Sequence, residues 1–151
     1  MKSSLLRSCL SLAAILLLGC VRASADEGRW LTNYTDALDQ AKSNHKNVLL
    51  DFTGSDWCPW CIKMDHEVLD TPPFKDYASQ NLILMLVDFP QSKQLPQNVQ
   101  DQNDKLQKQY DVQGFPTFIL IDKNGKVLGQ QVGYLDGGPS AFIAKLGGMT
   151  K

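Results

Sequence analysis

The stretch Val48-Leu49-Leu50-Asp51-Phe52-Thr53-Gly54-Ser55-Asp56-Trp57-Cys58-Pro59-Trp60-Cys61 decides how this sequence is read. Its first part is a nearly continuous apolar run, the pattern of an interior strand in a covered sheet. Gly54-Ser55-Asp56 is a turn, and residues 62–69 read as a helix. Cys58 therefore falls at a helix start, where unpaired backbone N–H groups and the macrodipole favour negative charge. A thiolate is such a charge. Held there it is a nucleophile for thiol–disulfide exchange, and the Cys61 thiol resolves the mixed disulfide.

Outward from this segment the chain alternates helices and strands. Tyr34, Ala37, Leu38, Ala41 and His45 share one face at helical spacing, so 34–45 is an amphipathic helix that Asn33 or Thr35 could cap. Residues 26–32 form an extended lead-in. Thr71-Pro72-Pro73 breaks the active helix, and 74–79 form a short second piece. The six apolar residues 82–87 are the strongest strand signal. The glutamine-rich stretch 90–103, with Pro90 and Pro96, reads as a long surface loop, and 104–110 as a helix. Strands 117–121 and 126–132 flank Lys123-Asn124-Gly125, a hairpin signal. Pro139 starts a last helix that Gly147-Gly148 should stop. A parallel βαβ unit followed by a hairpin implies an α/β domain with a mixed sheet covered on both faces. Catalytic groups in such sheets gather beyond the carboxyl ends of the strands, where Cys58 falls.

The 151 residues suffice for one domain, and the first 25 read as a leader. Lys2 and Arg7 form a basic region, residues 10–18 an apolar one too short to span a bilayer, and Ala23-Ser24-Ala25 a cleavage signal. The expected division is a signal peptide over 1–25 and a single domain over 26–151. Leu17-Leu18-Gly19-Cys20 offers a second route, cleavage before a lipidated Cys20. Of four cysteines, Cys9 and Cys20 lie in the leader, so cleavage after Ala25 leaves no framework of structural disulfides. Losing Lys2, Arg7 and Arg22 takes the net charge from −1 to −4, an acidic balance that argues against nucleic acid as a partner.

Other chemistries of paired cysteines fit less well. Structural zinc needs two further ligands, and His45 and His66 are the only histidines. Covalent haem needs a histidine after Cys61, where Ile62 stands. A purely structural bridge would close too small a loop to constrain the unfolded chain. The chemistry calls for no metal and no cofactor. His66 and Lys63 read as solvated helix residues, although Lys63 could also lower a thiolate pKa.

The strand bearing Asp51, Trp57-Cys58-Pro59-Trp60-Cys61, Gly114-Phe115-Pro116-Thr117 and Val132-Gly133 occur in the order of the thioredoxin superfamily, which the sequence resembles over nearly all of 30–148. Residues 51–61 and Val87-Asp88-Phe89-Pro90 resemble its exported DsbH-type branch, which implies reduction of periplasmic disulfides. The implied fold is α/β, a thioredoxin fold whose central mixed sheet is flanked by helices on both faces, with an N-terminal extra helix. The resemblance makes Pro116 a cis-proline facing the Cys58/Cys61 pair, with Phe115 free to pair its backbone with an incoming client strand. It puts Asp51 at the place of a buried acid that could take the Cys61 proton, the alternative being a structural or surface Asp on the other strand face. Trp57 is expected beside the site. Pro59 and the exposed Trp60 face outward, offering apolar contact to clients.

Two departures from the thioredoxin pattern stand out. The Asp51-to-Cys58 spacing is one residue longer, through the Gly54-Ser55-Asp56 turn, and the long polar loop 90–103 is additional. The neutral Pro59-Trp60 dipeptide carries no cation, which favours a reducing couple. A reductant in the periplasm needs recharging, so a membrane thiol donor is implied beside disulfide-bonded exported clients. Nearly all of 26–151 is used by the fold, leaving little for the dimerisation region an isomerase usually needs, so a monomer is expected. An oxidase or isomerase of the same fold, and a non-enzymatic client-binding module, are the alternative readings.

Overall fold

Strand β2 (Asn47–Thr53) is the axis of the structure, a computed structural model that describes residues 28–151. The expected leader, cleavage signal and Cys20 lipobox lie outside the described residues. β2 pairs in parallel with β3 (Leu82–Asp88) and antiparallel with β4 (Thr117–Ile121). A two-residue strand β1 (Trp30–Leu31) borders β3 in parallel, and β5 (Val127–Val132) closes the other edge against β4. The sheet order is β1-β3-β2-β4-β5, mixed as the βαβ-plus-hairpin reading requires.

Side chains alternate across β2, so its two faces feed two cores. Val48, Leu50 and Phe52 pack with Ala37 and Ala41 of α1 (Tyr34–Asn44) and Leu106 of α4 (Gln97–Gln109). Leu49 packs on the other face with Met64 of α2 (Pro59–Met64), Phe74 of α3 (Pro72–Asn81) and Phe142 of α5 (Gly138–Met149). By the same alternation Asp51 belongs to the face covered by the active helix. Each fully buried Leu or Phe contributes about 1.5–3 kcal/mol.

Local chemistry sets the boundaries. The Asn33 side chain accepts from the Asp36 N–H at 3.1 Å and caps α1, and His45 ends that helix in the left-handed region with φ 56°. Cys58 is the N-cap of α2 and Pro59 its first residue, so the active helix begins earlier than the expected residue 62. It does not stop at Met64 but widens into a π-helical turn, Asp65–Leu69. Pro72, at the start of α3, makes the Thr-Pro-Pro sequence a helix entrance as well as a break.

Two expectations are corrected. Residues 90–103 are not one loop, because α4 already begins at Gln97. Its inward face includes Asn103, only 1% exposed, whose amide donates to the Asp88 carbonyl at 3.0 Å. A polar residue at a core position hides the helical period. The true loop is 89–96. The last helix runs through Gly147-Gly148 to Met149. Met149 packs over Gly129 of β5, where an added Cβ would sit 2.6 Å from its side chain. That tertiary contact offsets a glycine penalty of about 1 kcal/mol per residue.

Candidate active site

The carboxyl end of β2 delivers the chain through Gly54-Ser55-Asp56 to the start of α2. Cys58 and Cys61 are joined there in a disulfide, with Cα atoms 5.2 Å apart. The Cys61 backbone N–H donates to Cys58 Sγ at 3.2 Å, so an amide at the helix start is aimed at the sulfur that would carry charge on reduction. Cys58 is 4% exposed and Cys61 1%, so both are buried and Cys58 is the slightly more accessible residue.

Aromatic residues frame this opening. Trp57, 40% exposed, lies on Gly54, where a Cβ would come within 2.5 Å of the indole. Its Nε1–H donates to the Phe89 carbonyl at 2.8 Å, and its ring meets Phe115 edge-on at 6.1 Å. Phe115 in turn stacks on Phe89 at 5.1 Å. The Phe115-Pro116 peptide bond is cis, and the Pro116 carbonyl accepts from Gly133 N–H at 2.8 Å. Pro59 and Trp60 are exposed at the head of α2. Trp60 leans on Tyr134, centroids 5.8 Å apart, and Lys63 Nζ lies 5.5 Å and 4.4 Å from those two ring centroids. Tyr134 donates its hydroxyl proton to Glu67 on the π-helical turn. A groove next to Trp60 is lined by Trp60, Lys63, Phe115, Gly133, Tyr134 and Asp136.

Under the active helix the environment is dry. Asp51 is 2% exposed, and its Oδ1 has no hydrogen-bond partner among the described residues, nor does Thr53 Oγ1. Burial pushes the Asp51 carboxyl well above the ordinary carboxylate range, and the charges of Asp65 and Asp88 push it the same way. Asp65, one turn beyond Cys61 and half-buried, is raised to about 6, chiefly by burial, then by Asp70 and Asp88, with His66 opposing.

The residues expected at the site are thus brought around one end of the sheet: Trp57, Pro59 and Trp60 exposed, Phe115 half-buried, and Cys58, Cys61, Pro116 and Asp51 buried. His66 is exposed on the π-helical turn. Sequence reasoning gave no role to Ser55, Asp56, Asp65, Asp88, Phe89 or Tyr134. Asp88 is 5% exposed. It accepts from the Ser55 amide at 3.0 Å and the Ser55 hydroxyl at 2.7 Å, and pairs with Lys93 at 3.2 Å. The sequence did carry a signal, since Val87-Asp88-Phe89-Pro90 belongs to the branch resemblance, but only three dimensions connect it to the turn before Cys58.

Comparison with known proteins agrees with this arrangement. The thioredoxin-like domain family matches residues 34–147. The chain is 42% identical over 114 residues to the disulfide bond reductase DsbH of Chlamydia pneumoniae, covering 76% of this chain and 68% of that protein. It is 28% identical over 112 residues to the thioredoxin-related protein DsbJ of the same organism, covering 74% of this chain but 32% of DsbJ. A solved structure of a DsbH oxidoreductase superposes with a TM-score of 0.76 at 40% identity, covering 80% of this chain and 83% of that one.

Proposed function

The chain belongs to the thioredoxin-like family and is a DsbH-like thiol–disulfide oxidoreductase; from that premise we propose that it is an exported reductant of disulfides in periplasmic proteins. The observation that carries the reading is the Cys58–Cys61 disulfide at the head of α2, with the slightly more accessible cysteine at the helix N-cap and a buried carboxyl on the sheet face beneath the helix. The neutral Pro59-Trp60 dipeptide supports the reducing direction. It adds no cation to stabilise the thiolate, and a less stabilised thiolate makes a stronger reductant.

In the reduced protein the Cys58 thiolate attacks one sulfur of a client disulfide. That S–S bond breaks, and the departing client sulfur takes a proton from solvent. Cys61 gives its proton to Asp51, and its sulfur attacks Cys58 Sγ. The mixed disulfide breaks, the second client sulfur leaves as a thiolate that takes a proton from solvent, the Cys58–Cys61 disulfide forms, and Asp51 later releases its proton to solvent. Two electrons have passed to the client. Trp57, Pro59, Trp60, Phe115 and Pro116 form the client-facing surface. Residues 1–25 act as the export signal for the domain 26–151, with cleavage after Ala25 or lipid anchoring at Cys20, and a membrane thiol donor reduces the pair again. The protein works as a monomer.

Insulin reduction tests the assignment. Cys58→Ser abolishes turnover, and Cys61→Ser accumulates mixed disulfides. Retained turnover in Cys58→Ser would sink it. Equilibration with glutathione tests direction. A potential near thioredoxin's roughly −270 mV supports the reductant, and one near roughly −120 mV makes the protein an oxidant. A parent protein that binds clients without reducing insulin is a binding module instead.

A further inference from the structure

The two places where this chain departs from the thioredoxin pattern, the longer turn before Cys58 and the loop after β3, are tied to each other. Asp56, in the turn, accepts from the Gln91 N–H at 2.9 Å through one carboxylate oxygen. Its other oxygen accepts from the Ser92 N–H at 2.7 Å and from the Ser92 hydroxyl. Alongside, Ser55 bonds Asp88 at the end of β3, and Lys93 reaches both Asp88, at 3.2 Å, and the Ser55 hydroxyl, at 3.3 Å. Phe89, between these two fastenings, donates its N–H to the Thr53 carbonyl at 2.8 Å and receives the Trp57 indole N–H. The loop 89–96 is therefore bound to the redox turn at both of its near corners. Its first residue completes the ring sequence Trp57, Phe115, Phe89.

We propose that Asp56 is a positioning residue: its carboxylate clasps loop 89–96 to the turn before Cys58 and so holds Trp57, Phe89 and Phe115 as a preformed aromatic wall for the polypeptide flanking a client's disulfide. The inference rests on the reductase reading above and names how that site selects its substrate. The carboxylate suits the task because both of its oxygens are used. An asparagine offers one acceptor and turns an NH2 toward a backbone N–H. The Ser92 hydroxyl, then the Gln91 and Ser92 amides, hold the Asp56 carboxyl down at about 2, so the clasp stays charged throughout the pH range of catalysis. The carboxylate is solvent-exposed, so its main effect is to order the loop, and its contribution to the stability of the fold is small. The occupant is an extended polypeptide segment, because the wall ends at Phe115, whose backbone before the cis-Pro116 can pair with a client strand, and is built of rings rather than of charges. A small disulfide lacks the flanking polypeptide that would cover the wall.

The experiment compares Asp56→Asn and Asp56→Ala with the parent in reducing insulin and a small aromatic disulfide, 5,5′-dithiobis(2-nitrobenzoate). The expected result is a KM for insulin raised roughly three- to tenfold, the cost of ordering one or two side chains on binding, with kcat unchanged. The rate with the small disulfide and the equilibrium with glutathione stay at parental values. Ser92→Ala, which removes one of the three bonds, gives a smaller rise in the same direction. Unchanged KM for insulin in both Asp56 variants overturns the proposal, and so does an equal loss on both substrates, which marks a general disturbance of the fold. A parent inert toward both substrates overturns the reductase reading and the clasp together. A parent active on both, with indifferent variants, overturns the clasp alone.

Discussion

Asp51 and Asp56 lie on one strand-and-turn segment, five residues apart, and meet opposite surroundings. Asp51 is sealed under the active helix with one oxygen unpartnered among the described residues, and burial drives its carboxyl toward the protonated form. Asp56 stands in solvent with three donors around it, and those bonds hold it ionised. The residue type is the same, so the difference is environment alone. A buried carboxyl without bonds can take and give a proton at useful pH, whereas an exposed one saturated with bonds cannot and serves to hold backbone in place. The site thus separates into a dry interior suited to proton transfer and a wet rim suited to client recognition.

The largest effect should come from neutralising the interior acid. Asp51→Asn is expected to slow resolution of the mixed disulfide by about 10²-fold at neutral pH, equally for insulin and for a small disulfide, because a positioned proton acceptor contributes on that scale. The same change should stabilise the fold. With its folded pKa raised above the unfolded value, Asp51 contributes stability in acid that is lost as pH rises through the folded pKa, and asparagine removes that loss. Thermal melts at pH 8 should therefore show the variant above the parent. If Asp51→Asn resolves mixed disulfides at the parental rate, the interior half of the comparison fails.

A smaller effect should follow from displacing the rim while the interior is left alone. Gly54→Ala places a Cβ 2.5 Å from the Trp57 indole, so the ring must leave its seat. Overpacking of this kind costs about 1–3 kcal/mol, read as a lower denaturant midpoint. The KM for insulin should rise with the loss of the Trp57 contact to Phe115, and the potential against glutathione should hold. A shifted potential would show that rim and interior are not independent.

Much of this division was legible in the sequence. The apolar run of β2, the cysteine spacing and the proline-threonine strand entry place both cysteines, Trp57, Trp60 and Phe115 at one end of a mixed sheet, because strand alternation and helix starts are local signals. What escaped depends on contacts distant in sequence. Asn103 occupies a core position of α4 because the Asp88 carbonyl needs a donor, and that pairing cannot be seen from helical periodicity. The extra turn of α5 depends on Met149 covering Gly129. The sequence marked the turn at Asp56 and the polar loop as separate departures, and only the fold shows that they are one clasp. The burial of Asp51 could be posed from the sequence but not decided, because the sheet face it occupies follows from what covers each side of β2.

Asp65 tests where the interior ends and the rim begins. It is half-buried and raised to about 6, between the sealed Asp51 and the solvated Asp56. Its folded pKa exceeds its unfolded value, so the native state binds more protons between about pH 4 and 6 and the fold loses stability as pH rises through that window. An unscreened shift of this size would correspond to about 3 kcal/mol, and partial exposure should reduce it to roughly 1 kcal/mol. Asp65→Asn should therefore flatten the stability profile across that window and leave the variant slightly more stable than the parent at neutral pH. Asp56 has the opposite sign. Its depressed carboxyl favours the fold above the unfolded pKa, and that contribution fades only as pH falls toward 2. Denaturant unfolding from pH 3 to pH 8 distinguishes the two. If Asp65→Asn keeps the parental slope between pH 4 and 6, Asp65 belongs with Asp56 on the solvated side, and the dry interior shrinks to Asp51 and its strand neighbour Thr53.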